Sequence, residues 1–156
     1  MPERLRRLEH RFQRVPIYFI TACTAERRAF LADDNVHAGL IQFAKEGERH
    51  GVWLGSYILM PDHLHLFVVV DDERLKLSLW VKSLKNTLSK ILRTHGVSAP
   101  HWQKGFFDHV LRSGDSYSKK WNHVRENPMR AGVVRDWSKW PFLEQIFDLE
   151  FRNDSL

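Results

Sequence analysis

A single cysteine, Cys23, excludes an internal disulfide and a cage of thiolates around zinc, as expected of a protein kept in a reducing compartment. A metal bound by this chain would have to use His, Asn, Asp or Glu. Long apolar runs are also missing. The two longest, around Ser56 to Met60 and Leu64 to Val70, are interrupted by Pro61, Asp62, His63 and His65 and fall short of a membrane span. The charged N-terminus lacks the apolar core of a secretory signal, so the sequence predicts a cytoplasmic protein with no membrane partner. No repeat, low-complexity tract or linker divides the 156 residues, which predicts one domain over 1–156. Residues 1–14, with Arg4, Arg6, Arg7, Arg11 and Arg14, read as a basic arm. Acidic residues are in deficit, 19 against 24 Lys and Arg, for a net charge of +5. That bias suits a polyanionic partner, although many basic soluble proteins have none.

The local patterns give an order of elements. Ile17 to Thr24 (IYFITACT) is β-branched and aromatic, the mark of a buried strand. Asp33, Asp34 and Asn35 offer a helix cap, and Val36, Leu40, Ile41, Phe43 and Ala44 recur at helical spacing up to Gly51. Val52 to Leu59 and His63 to Val70 predict two strands joined by a tight connection at Met60-Pro61-Asp62 and paired antiparallel. Leu75 to Leu92 predicts a long amphipathic helix with Leu75, Leu79, Leu84, Leu88, Ile91 and Leu92 inward and Lys82, Lys85, Lys90 and Arg93 outward. Phe106 to Arg112 reads as a short strand, and Ser116 to Glu126 as a helix ended by Asn127-Pro128. The fold class this predicts is α+β: a ferredoxin-like split βαβ with an antiparallel sheet, helices on one face, and a further C-terminal helix.

His63 and His65 lie two residues apart on a predicted strand, so both imidazoles point to one side of the sheet. Such a pair is a two-nitrogen clamp for a metal, or equally a polar strand edge. His123 and Asn127, four residues apart, share a helical face and would complete a site if that face packed over the sheet. Imidazole with a carbonyl oxygen suits Mg, Mn or Zn, while Asn127 as a cap before Pro128 is the blander alternative.

The blocks YFITACT, MPDHLHLFV, WQKGFFDHVLR and WNHVRENPMRAGVV, in this order over residues 18 to 134, resemble the REP-associated tyrosine transposases. These are relatives of the single-tyrosine transposases of small bacterial insertion sequences. The resemblance implies a fold like that of RNA-recognition domains, a His-hydrophobic-His metal motif matched by His63, Leu64 and His65, and a divalent ion, Mg or Mn. It implies a partner, single-stranded DNA beside a folded hairpin, which the family cuts and rejoins. A tyrosine on the last helix attacks phosphorus there, leaving a 5′-phosphotyrosine and a 3′-hydroxyl. Asn127 matches the family's third metal ligand, and the resemblance is compatible with a homodimer as well as a monomer.

At the position of that tyrosine stands His123. Four readings compete. His123 is itself a nucleophile on phosphorus; Tyr117, six residues back and turned roughly 120° away, substitutes for it; His123 joins the metal in a three-histidine site where water attacks; or catalysis is lost and a hairpin-binding protein remains. The DNA surface is expected from Arg112, whose strand leads toward the site in the family, and from Lys82, Lys85, Lys90, Arg93, Lys119, Lys120, Arg125 and Arg130. Trp102, Phe106 and Phe107 are candidates to stack on unpaired bases, with two of the three expected in the core. Asp62 and Asp108 are candidates to orient the histidines. Trp137, Trp140, Pro141 and Phe142 read as a hydrophobic clasp over the sheet.

Overall fold

The structure, a computed structural model, describes residues 16–111 and 114–149. The basic arm at 1–14 and Arg112 lie outside the described residues. Five strands form one antiparallel sheet: β1 (Ile17–Cys23), β2 (Val52–Met60), β3 (His63–Val70), β4 (Phe107–Leu111) and β5 (Leu143–Gln145), in the order β4-β1-β3-β2-β5. The first four strands, with α1 (Asp34–Gly47) and α2 (Leu77–Thr94) between them, are the ferredoxin-like βαββαβ unit that the sequence order predicts. No described helix is long and apolar enough to cross a membrane.

α1 starts where the Asp33 carboxylate accepts hydrogen bonds from the backbone N–H of Asn35 (2.9 Å) and Val36 (3.1 Å). It buries Val36, Leu40 and Ala44, one residue per turn, against the sheet. α2 buries Trp80, Val81, Leu84, Leu88 and Leu92. Leu79 was expected inward but is 52% exposed. Five residues separate it from Leu84, which at 100° per residue puts the two about 140° apart, and Trp80 and Val81 take the inner face instead.

Strand alternation gives the sheet two unlike faces. Ile20 and Ala22 of β1, Leu64, Leu66, Val68 and Val70 of β3, and Leu54 and Leu59 of β2 join α1 and α2 in one core. Phe19, Trp53, Ile58, Phe67 and Val69 point the other way, to a second core closed by Tyr117, Val124 and Leu149. α3 (Gly114–Val124) therefore covers the face opposite α1 and α2. His63 and His65, in phase with Phe67 and Val69, share the face that α3 partly covers.

In β2 the register with β3 slips between Leu54 and Tyr57, leaving Gly55 and Ser56 in a bulge. The bulge keeps Leu54 and Tyr57 on the same face and frees the Ser56 amide. That amide donates to the Tyr117 hydroxyl (3.0 Å), which itself donates to Ser56 Oγ (2.8 Å). Gly55 is required by the close approach, since a Cβ there would lie 2.9 Å from the Tyr117 oxygen and 2.6 Å from Leu149 Cδ1. Tyr117→Phe strands a buried N–H and should cost about 1–3 kcal/mol in urea unfolding. An unchanged midpoint would show that this contact does not hold α3 to the sheet.

The C-terminal clasp takes a form the sequence did not suggest. Trp140 Nε1 donates to Leu59 O (2.9 Å) and Leu59 N to Phe142 O (2.8 Å), which leads the chain into β5 along the free edge of β2.

Candidate functional site

The two histidines are positioned by a turn that is itself tied down. Pro61 and Asp62 link Met60 to His63 across a two-residue hairpin. Pro61 O accepts from the amides of Phe30 and Leu31 (both 2.9 Å), and Asp62 O accepts from Thr24 N (3.0 Å) and Thr24 Oγ1 (3.1 Å). With its entry fixed, β3 delivers His63 and His65 to one face, their ring centroids 4.8 Å apart and their planes at 76°.

Each ring is held through Nδ1. His65 Nδ1 is hydrogen-bonded to Thr21 Oγ1 across the β1–β3 pairing (2.8 Å), and the ring stacks on Phe19 at 5.1 Å. His63 Nδ1 is hydrogen-bonded to Asp62 Oδ1 at 2.8 Å. Burial pushes the His65 imidazole down to about 3, helped by the positive charge of Lys120 and Arg27 nearby. It is neutral at any working pH and keeps a lone pair. Partial burial would raise the Asp62 carboxyl, but hydrogen bonds from His63 and Arg27 outweigh it and hold the group below the usual range, as a carboxylate. With Nδ1 engaged on both rings, Nε2 is the nitrogen left on each, the arrangement by which a carboxylate or hydroxyl orients a metal-binding imidazole. The donor set fits a divalent ion at His63 and His65.

The helix that should complete the site reaches the pair through Lys120, whose Nζ lies 4.8 Å over the Phe19 ring. His123, in the last turn of α3, is exposed, and its side chain makes no hydrogen bond to a described residue. Among the described residues no three His, Cys, Asp or Glu side chains converge on a metal position, so the three-histidine arrangement, one of the four readings of His123, is not assembled here. α3 also stops earlier than expected. It ends at Val124, and Asn127 opens a separate short helix, α4 (Asn127–Arg130), with Pro128 in its first turn. His123 and Asn127 thus do not share one continuous helix. Arg130 joins them instead, donating to His123 O (2.6 Å) and to Asn127 Oδ1. Tyr117 is 1% exposed with its hydroxyl committed to Ser56, which is incompatible with the substitute nucleophile proposed for it from sequence.

Residues 15–124 match the sequence model of the IS200-like transposases. The chain belongs to that family. Its curated relatives carry the narrower name that the motifs suggest. A REP-associated tyrosine transposase of Haemophilus influenzae is 19% identical over 145 residues, covering 84% of this chain and 80% of the relative. One of Escherichia coli K12 is 23% identical over 90 residues, covering 57% of this chain and 52% of the relative, about half its length. Among solved structures, a REP-associated tyrosine transposase bound to a REP hairpin superposes with a TM-score of 0.67 at 20% identity, covering 82% of this chain and 75% of that one. A transposase from Deinococcus radiodurans superposes at 0.51 and 19% identity, covering 70% and 88%. These likenesses carry the fold.

In this transposase fold the basic residues expected to form one DNA surface are split. Lys82, Lys90 and Arg93 are exposed on α2, on the side of the sheet away from His63 and His65. Lys85 donates to Gln103 O (3.2 Å) and to Gly105 O, pinning the loop before β4. Lys120 faces the histidine side, Lys119 is exposed, and Arg125 stacks its guanidinium 4.1 Å over Trp137. Of the three candidate aromatics, Trp102 donates its Nε1 to Lys85 O and Ser89 Oγ, and Phe106 packs on the core beneath α1 and α2. Phe107 alone is free, 70% exposed. It pairs with Thr21, which pairs with His65, so Phe107 lies on the histidine face two strands away. Asp62 orients His63 as expected, whereas Asp108 pairs with Ile20 and belongs to the other face.

Two contributors escaped the sequence reading, Thr21 and Arg27. Arg27 Nε donates to Asp62 Oδ2 (2.9 Å), and its Nη2 lies 3.4 Å from His63 Nδ1. A hydroxyl at an alternate position of a predicted strand is the only local signal for Thr21, and nothing local marks Arg27.

Proposed function

We propose that this transposase-family protein binds hairpin DNA together with the single strand at its foot. The strand lies across the face that carries His63 and His65. The carrying observation is the pair of imidazoles, each held through Nδ1 with Nε2 left over, on the side of the sheet that also presents Lys120 and the exposed Phe107. His63 and His65 would hold a divalent ion, Mg or Mn, with Asn127 as a third ligand once Arg130 releases its oxygen. A bound ion of this kind polarises a phosphodiester and offsets charge as the bond to phosphorus changes. The rest is done by the chain. Lys120 adds positive charge over Phe19, Thr21 and Asp62 keep the imidazoles oriented, and Phe107 offers a flat apolar surface to an unpaired base.

The family chemistry, cleavage and rejoining by transesterification, requires a nucleophile in the last turn of α3. His123 is there in place of tyrosine, so the function of the chain as written is binding of the hairpin and its strand rather than strand transfer. A role on DNA supports a cytoplasmic location.

Fluorescence anisotropy in EDTA tests the binding reading, using hairpins of varied stem sequence against unpaired isomers of the same composition. A preference for at least one hairpin of about tenfold, or 1.4 kcal/mol, is expected. Equal affinities for all pairs would remove hairpin recognition. On a strand-bearing hairpin, Phe107→Ala should lose about 1–3 kcal/mol of affinity and Phe107→Trp should keep it. An alanine variant that binds unchanged would take Phe107 off the DNA path.

A further inference from the structure

Arg27 sits in the least comfortable stretch of backbone in the described chain. Glu26 and Arg27 both have left-handed φ, 55° and 56°, consecutive positions where a side chain is strained and neither is glycine. The bend is closed by Arg28 N donating to Ala25 O (3.2 Å) and held from outside by Ala25 N donating to His101 O (3.0 Å) and the Arg28 guanidinium to Ser98 O (2.8 Å). Strain kept in place by such supports is a mark of positions where geometry matters to function. What it places here is a guanidinium at the histidine pair. Nε donates to Asp62 Oδ2, Nη1 donates to Cys23 Sγ (3.2 Å), and Nη2 lies 3.4 Å from His63 Nδ1. The side chain is nevertheless half exposed. Asp62, Cys23 and His63 Nδ1 take one N–H each, and no described residue accepts the others, beside the imidazole that would meet a phosphate.

We propose that Arg27 is a phosphate clamp that binds the phosphodiester of a single DNA strand lying over the His63–His65 face. The proposal rests on the reading that this face takes single-stranded DNA. The guanidinium suits the role because its fork presents paired N–H donors to two phosphate oxygens and its charge does not titrate. Asp62 fixes the fork in advance, so that little side-chain freedom is lost on binding.

The test is the salt dependence of binding to oligothymidylate in EDTA, which needs neither metal, hairpin nor base sequence. Each phosphate contact to a single strand contributes about 0.7 to the log–log slope. Arg27→Gln should make the slope shallower by about 0.7 and weaken binding about tenfold at low salt, and Arg27→Lys, which keeps the charge on the same backbone, should restore the slope. Mn titration followed by electron paramagnetic resonance should show both variants binding the ion about as well as the parent protein, which also reports an intact fold. A slope unchanged in Arg27→Gln with weakened Mn binding would overturn the clamp and leave Arg27 as an anchor for Asp62. Parent protein that fails to bind oligothymidylate at low salt would overturn the single-strand reading and the clamp with it.

Discussion

Replacing His123 by tyrosine is expected to raise cleavage well above that of the parent protein, with hairpin-bearing DNA becoming covalently attached to the variant in the presence of Mn or Mg. The position has what the nucleophile needs apart from the atom. His123 is exposed in the last turn of α3, three residues after Lys120, and so lies on the same flank of the helix that reaches Phe19 and His65. Its carbonyl is tied by Arg130, which also holds Asn127 within the same turn of chain. A phenol carries its oxygen further from the backbone than an imidazole carries its nitrogen. In the expected reaction the tyrosine oxygen forms the bond to phosphorus, the bond to the 3′-oxygen breaks, and that oxygen leaves as a hydroxyl after taking up a proton. The gain over the parent protein should be at least about 10³-fold, since removing a nucleophile from a built site costs that or more. Denaturing electrophoresis of end-labelled hairpin reads both cleavage and adduct. An adduct on the parent protein that survives base and is lost in acid would make His123 the nucleophile and contradict the account. Cleavage without adduct by the parent would point to water.

The second large effect concerns the ion. His65→Ala should lower Mn affinity by about 100-fold or more, because it removes one of the two imidazoles of the proposed clamp. Thr21→Val, which keeps the imidazole and removes only the hydroxyl that orients it, should cost less, about tenfold. The ordering of the two variants is the content of the prediction, and circular dichroism verifies that each is folded. Mn affinity equal to that of the parent protein in His65→Ala would place the ion elsewhere.

What the sequence revealed and what it concealed divide along physical lines. Two-residue periodicity is a local property, so the common face of His63 and His65, with Leu64 and Leu66 buried behind them, was legible at once. The turn at Pro61–Asp62 and the Asp33 cap were equally local. Pairing register is not local. Thr21 meets His65 over 44 residues of chain, and no pattern in either strand announces it. Arg27 was invisible for a related reason: its place depends on a left-handed pair built from residues with no turn signature and supported by His101 and Ser98, far along the chain. Pro128 was read as the end of one helix, but proline is also at home in the first turn of another, and that is how the chain uses it. β5 is three residues long, too short to alternate, and forms because Trp140 and Phe142 lead it onto the edge of β2. Composition does not tell which face a charge serves: Lys82 and Lys90 share a charge with Lys120 but not a side of the sheet.

The central claim is that the metal position and the DNA strand meet at His63 and His65. Affinity cleavage tests it without asking anything of His123. Fe(II) is supplied in place of Mn, and peroxide with ascorbate generates short-lived oxidant at the ion while an end-labelled hairpin with a single-stranded foot is bound. The account predicts scission confined to a few neighbouring nucleotides of the single strand and lost in His65→Ala, with DNA binding in EDTA retained. Scission spread evenly along the DNA, or the same pattern from His65→Ala, would contradict it.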